Sequence, residues 1–457
     1  MRRRPPFLAA LGVALASLAG ACGTDLEVDG EAFCRERPAD AECRGLGGSG
    51  TGGAGTNGSG TGGTGTGGSG TGGSGGPAAG GSGGGACGDT QGDPNNCGEC
   101  GRVCIGDSAA CEGGACVPQT LADLQTAPHA IAVDDANVYW ASPAFDQNGD
   151  PPLAVLTKGK DGSGTPGPRI FTPAGAPALG RALSFAFAST EDDDYIFFGS
   201  LNLNQGQEAL FRVRLLTPFE NTPSAPFPVN ASEPDIGHIA ASGDLVFWTG
   251  GGNDVARGKD ADNLDDFVLN APGQNNPGWI TADAEDDGRA YWVAGGAIRR
   301  GVPGDEDDAD DVVVNGSPGS VEVAGGQIYW TDLEQNEIRK APVGGPLPAD
   351  GQAIVTDTNL IEGFAVDAAA GRIYWVSYDP ANKRFEVFRA DLEGQGQLVL
   401  GRVPAVNQDD YAGNPFGPAY VVLDAEAVYF TDVGTMTPAG GGNFRSDDNG
   451  RVYRVAR

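Results

Sequence analysis

The chain has 457 residues, 61 acidic against 29 basic side chains, and a formal charge of −32 at pH 7. Such a surface repels nucleic acid and anionic headgroups, so neither is expected as a partner. The length allows two or three domains, but all nine Cys lie at or before Cys116, so the longer C-terminal part must fold without disulfides.

The first element is an export signal. Arg2, Arg3 and Arg4 form a positive n-region, and Phe7 to Ala21 is an apolar run too short to span a membrane comfortably. It ends Leu18-Ala19-Gly20-Ala21-Cys22, which resembles a bacterial lipobox. The resemblance implies that residues 1–21 are removed and that Cys22 becomes the lipidated first residue. Membrane contact would then run through the anchor alone, at the outer membrane or cell surface. Removal of Cys22 from pairing leaves eight Cys, an even number. Over 22–44, Cys34 and Cys43 flank a short charged stretch and are expected to close a small loop. Residues 45–86 are almost entirely Gly, Ser, Thr and Ala. That composition cannot bury a core and reads as a flexible tether with a reach of about 35 Å.

Residues 87–116 hold six Cys, at 87, 97, 100, 104, 111 and 116, around the turn-forming run Asp93-Pro94-Asn95-Asn96-Cys97-Gly98. This stretch resembles a short Cys-rich module of secreted myxobacterial proteins. The spacing of Cys97, Cys100 and Cys104 would also suit zinc or an iron–sulfur cluster. An oxidising compartment favours three disulfides, and six Cys leave fifteen pairings open.

From residue 117 onward a triplet recurs seven times: an aliphatic residue or Ala, then Tyr or Phe, then Trp or Phe. The copies start at Val138, Ile196, Val246, Ala290, Ile328, Ile373 and Val428, 38 to 58 residues apart. That interval suits a four-stranded propeller blade. Another strand precedes most triplets, through an acidic or Gly-bearing turn such as Asp134-Asp135 or Gly325-Gly326. A second pattern follows each triplet: aliphatic, any residue, Lys or Arg, then Gly, Ala or Val, as in Ile338-Arg339-Lys340-Ala341. Outer strands follow six of these. The seventh is missing at the C-terminus, and Thr120 to Gln125 is the segment expected to supply it. The expected fold class is therefore all-β: a seven-bladed β-propeller over 117–457 with circular strand closure.

Tyr329-Trp330-Thr331-Asp332 and Tyr429-Phe430-Thr431-Asp432 resemble the YWTD motif of low-density-lipoprotein-receptor-type propellers. The other five copies replace the Thr-Asp, and that family usually has six blades. The resemblance implies an extracellular scaffold that binds proteins or other ligands, and it transfers no catalytic residue. The loops from second to third strand and from fourth to first share one face and read as long: 141–154, 199–208, 376–385, 402–418 and 431–450. That face offers Trp279, His129, His238, Tyr378, Tyr411 and Phe416 as ligand-face candidates. Trp279 leads because it is the one Trp outside the triplets. His129 and His238 are offset by one residue relative to their triplets, so a shared metal or acid–base role is not expected. Asp146 to Asp150 and Asp447 to Gly450 lack the closing Glu of a calcium loop and read as solvated turns. No cofactor is expected. The sequence-level function is thus a monomeric, exported binding module for a protein or glycan. The alternative is a propeller enzyme of lyase, lactonase or glycosidase type, using carboxylates at the channel mouth. Strand starts that read as mostly small or apolar disfavour it.

Overall fold

The computed structural model describes residues 87–106, 109–142, 155–170, 184–189, 194–202, 207–215, 227–230, 236–250, 255–260, 267–283, 288–302, 309–313, 316–343, 351–406, 420–440 and 443–457. Cys22, Cys34, Cys43, Tyr411, Phe416, Asp146 to Asp150 and the Gly-rich tether lie outside them. Ser82–Arg457 forms one compact unit, and every regular element among the described residues is a strand.

Six four-stranded antiparallel sheets, and a seventh whose four antiparallel strands are extended at the outer edge, make seven blades. In blade 1 the strands are Ile131–Val133, Asn137–Ala141, Val155–Gly159 and Gly167–Ile170. Blades 2 to 6 repeat this order, beginning at Phe185, Ile236, Ile280, Pro318 and Leu360. Blade 7 takes Val421–Leu423, Ala427–Asp432 and Gly450–Ala456 from the C-terminal end, then Gln119–Gln125 from before blade 1 as its outer strand. Thr120 pairs with Tyr453 and Gln125 with Gly450. The ring is closed as expected from the missing seventh outer strand, and no blade edge is left open at the join.

The triplet occupies the second strand, one strand out from the axis, and no triplet residue is more than 2 % exposed. Strand alternation explains the pattern. In blade 1, Tyr139 packs into the seam with blade 2, while Val138 and Trp140 pack into the seam with blade 7. The same alternation holds round the ring, for example Phe247 toward blade 4 with Val246 and Trp248 toward blade 2. Each seam has its own apolar core, so a strand lying between two seams must be apolar on both faces.

The Thr-Asp that follows two triplets has a local role. Thr331 Oγ1 accepts the Ser320 amide at 2.9 Å, which ties the second strand to a bulge in the first. Asp332 Oδ1 accepts the Glu334 and Gln335 amides at 3.2 and 3.3 Å and shapes the turn. The acidic hairpin turns do similar work. Asp134 accepts the Ala136 and Asn137 amides and the Tyr139 hydroxyl, at 2.8, 2.6 and 2.6 Å. Gly325 and Gly326 both take positive φ, +57° and +70°, which suits a two-residue hairpin turn.

The Cys-rich stretch pairs Cys87–Cys100, Cys97–Cys111 and Cys104–Cys116. It packs onto blade 6. The short strand Ala115–Cys116 runs parallel to the blade's outer strand, Cys116 opposite Gly401, so that sheet grows to six strands. Cys97, Cys104 and Cys116 share an apolar core with Val387, Leu400 and Val455. Arg102, 5 % exposed, donates to the Val399 carbonyl at 3.3 Å, to the Leu400 carbonyl and to Cys116 Sγ at 3.1 Å. Glu99 pairs with Arg389 at 2.8 Å.

Candidate functional site

The first strands of the blades wall the central channel, and their pairing to the triplets sets a common register. Ile131, Phe185, Ile239, Ile280, Val321, Phe364 and Val421 each face the third residue of a triplet. The residue before this position lies on the long-loop side of the channel. There the blades present Ala130, Ser184, His238, Trp279, Ser320, Gly363 and Tyr420. Strand starts are mostly small or apolar, as expected, with Ala130, Ser184, Ser320 and Gly363 small, but His238, Trp279 and Tyr420 place three rings among them.

These side chains meet. Tyr420 and Trp279 have ring centroids 4.3 Å apart, and His238 lies 4.9 Å from Trp279 and 6.0 Å from Tyr420. His129 approaches Tyr420 edge-on at 5.5 Å. The Tyr420 hydroxyl donates to Ser184 Oγ at 2.7 Å, and Ser184 Oγ also accepts the Ile239 amide at 3.0 Å. With its one proton so used, Tyr420 Oη accepts from His238 Nδ1 at 2.9 Å. Tyr420 of blade 7 thus reaches blades 2, 3 and 4, and the rings stopper the channel.

Local backbone geometry aims this cluster. Blade 3 carries a bulge between Ile236 and Ile239, which turns His238 to the channel. Thr249 Oγ1 accepts the His238 amide at 3.2 Å and donates to the Gly278 carbonyl at 2.7 Å. One threonine therefore fixes the strand starts that carry His238 and Trp279. Burial, and then the neighbouring His129, push the His238 pKa down to about 3, so the ring stays neutral. Burial pushes the Tyr420 hydroxyl up, against the Ser184 hydrogen bond.

Behind the stopper is a cavity of about 360 Å³, bounded by blades 4 to 7. Trp279 and Tyr420 line it, with one carboxyl, Glu322 of blade 5. Glu322 Oε2 accepts the Val366 amide at 3.1 Å. Burial outweighs that hydrogen bond and pushes the carboxyl up to about 8.

Of the sequence candidates, Trp279, His129 and His238 are brought together, despite the one-residue offset of the two His. Tyr378 sits apart. It is buried in the seam core beside blade 6, its ring 5.6 Å from Phe385. Two long-loop expectations also change. The strands Arg372–Asp379 and Arg384–Asp391 fill most of 376–385, and Asp194–Asn202 with Gln207–Leu215 take up most of 199–208. The 431–450 stretch carries its own hairpin, Met436–Gly440 with Asn443–Ser446. Asn449 of the acidic run there is engaged with Thr435. Sequence reading missed Tyr420, Ser184 and Glu322. Aligning the seven first strands exposes Glu322 at once, because the other blades hold Ala132, Ala186, Ala240, Thr281, Ala365 and Val422 at that position.

No protein-family model matches the chain. Its fold is similar to several solved propellers. A chain of the nidogen/laminin complex aligns at 12 % identity and TM-score 0.38, covering 60 % of this chain and 96 % of that one. A catalytically inactive virginiamycin B lyase from Staphylococcus aureus, solved with quinupristin, aligns at 13 % identity and TM-score 0.44, covering 74 % and 98 %. YCF48 bound to D1 peptide aligns at 9 % identity and TM-score 0.46, covering 74 % and 95 %. At these identities the likeness concerns fold alone.

Proposed function

We propose that the protein is an exported lipoprotein whose propeller is a non-catalytic binding module for a protein or glycan, engaged at the face where the aromatic stopper lies. The observation that supports this most is the stopper itself. Five of the six Trp are at most 1 % exposed in the seams, whereas Trp279 keeps partial exposure beside Tyr420 at the centre of the ring. Ser184, Tyr420 and His238 hydrogen-bond in series, so the cluster is organised before any ligand arrives. Aromatic side chains held in this way give contact area at low entropic cost.

Trp279 is also the probe. Acrylamide should quench one emission component, and Trp279→Phe should remove that component while leaving the buried five. Capture of a protein or glycan from extracellular extract should fall at least tenfold in Trp279→Ala. Undiminished capture by a folded Trp279→Ala protein would sink the reading of this face. The anchor is tested separately, by palmitate labelling of cells expressing the chain. Label should vanish in Cys22→Ser, and unlabelled wild-type protein would refute the anchor.

A further inference from the structure

The blade repeat does not call for a carboxyl at the position of Glu322. The same register position is Ala in four other blades and Thr or Val in two, so the scaffold does not require charge there. Among the described residues its one hydrogen bond is from the Val366 amide, and no Lys, Arg or His pairs with it. Glu322 is half-buried, and a carboxylate screened from bulk water without a counter-charge is costly. The cavity it faces, about 360 Å³, is of small-ligand size and mostly apolar, as binding pockets are.

The two ends of the channel differ in what they offer a ligand. Three residues past the register position, at the hairpin end of the channel, stand Asp134, Asp283, Asp367 and Asp424. Asp134, Asp367 and Asp424 are engaged there by the Tyr139 hydroxyl, Arg457 and Lys160, and Asp283 is buried, so this end brings no free charge to the cavity. At the other end Trp279 and Tyr420 line the same cavity, and aromatic rings attract organic cations. A calcium ion would need six or more oxygens, and one carboxyl in an apolar wall does not offer them. We infer that the axial cavity is a binding site for a small organic cation, an alkylated ammonium whose charge meets Glu322 and whose apolar substituents rest on Trp279 and Tyr420. The site shares Trp279 and Tyr420 with the proposed binding face, whereas Glu322 belongs to the cavity alone, so Glu322→Gln separates the two.

The groups around Glu322 leave its titration distinct. Tyr329 on the adjacent strand is raised by burial and by Glu393 and Glu322, and Tyr420 is raised by burial. Asp367 is held low by its hydrogen bond from Arg457. Asp424 pairs with Lys160 at 2.8 Å, and buried Asp283 directly follows the first strand of blade 4. With the Glu322 carboxyl near 8, a cation that binds the ionised form displaces a proton at pH 7. Affinity should therefore be about tenfold tighter at pH 9 than at pH 7.

The test uses the full chain and Trp279 emission. Choline is titrated against dimethylbutanol, its uncharged isostere. Choline should bind saturably, with the isostere at least tenfold weaker, and tighten about tenfold from pH 7 to pH 9. Glu322→Gln should lose both the preference and the pH dependence while keeping the wild-type near-ultraviolet dichroism. Val422→Phe, which fills the cavity but spares Glu322, should exclude choline and keeps the test decisive should Glu322→Gln not fold. Equal binding of the two compounds, undiminished choline binding by folded Glu322→Gln, or no saturable binding at pH 9 would overturn the inference. Loss of extract capture without loss of choline binding would instead implicate only the outer face.

Discussion

His238 and Glu322 face one channel and respond to pH with opposite signs. His238 is held neutral, its pKa near 3 against 6.5 when free. The unfolded chain gains a proton that the folded one refuses, so stability present above about pH 6.5 is lost as pH falls, by about 2 kcal/mol at pH 5. Urea midpoints between pH 7 and pH 5 should drop less in His238→Phe than in wild type; equal slopes would exclude His238 as the cause. Glu322 titrates near 8 when folded, well above its unfolded value. Its contribution is intact at low pH and lost as pH rises through about 8. Glu322→Gln should therefore raise the midpoint at pH 8 and leave it unchanged at pH 4, and a uniform shift at both would refute the assignment. At this scale the sequence exposed Trp279 and the two His by their rarity. It hid Tyr420, which belongs to no motif and matters because a long side chain crosses the channel.

The repeating unit is a second strand squeezed between two seams, and its side chains are set by alternation. The middle aromatic faces the next blade and the outer two face the previous one, as with Tyr291 and its neighbours Ala290 and Trp292. The indole N–H of such a Trp is buried and needs an acceptor. Gln274, beyond the outer strand of blade 3, accepts from Trp292 Nε1 at 3.1 Å in blade 4. Gln125 does the same for Trp140, and Asp357 for Trp375, at 3.1 and 3.2 Å. Each such bond fastens one blade's outer end to the next blade's core. Gln274→Leu should cost about 1–3 kcal/mol by leaving Trp292 Nε1 unpaired. Chemical denaturation measures it, and a change below a few tenths would show that the bond contributes nothing. The triplets are legible in sequence because burial on both faces permits only apolar residues. The Gln and Asp acceptors are not, because single polar residues in loops look alike until a partner from another blade is beside them.

At the scale of the whole molecule, two non-local attachments complete the ring. Gln119–Gln125 closes blade 7, with Lys158 Nζ donating to the Leu121 carbonyl at 2.6 Å and Arg454 Nε to Gln119 Oε1 at 2.6 Å. The disulfide module covers the outer edge of blade 6, anchored by Arg102. Arg102→Ala should weaken that attachment by about 2–3 kcal/mol, since the Val399 and Leu400 carbonyls lose their charged donor. Limited proteolysis should then cut the chain near Cys116 faster than in wild type, and identical cleavage rates would refute the anchoring role. By itself the sequence determined the blade count, the closing strand and the set of cysteines able to pair. Those follow from hydrophobic period and residue spacing, which are local quantities. Only the tertiary structure decided the disulfide pairing, the docking of the module on blade 6, the convergence of His129, His238, Trp279 and Tyr420, and the isolation of Glu322. Each of these depends on residues far apart in the chain, and their meeting is set by closure of the ring around one axis.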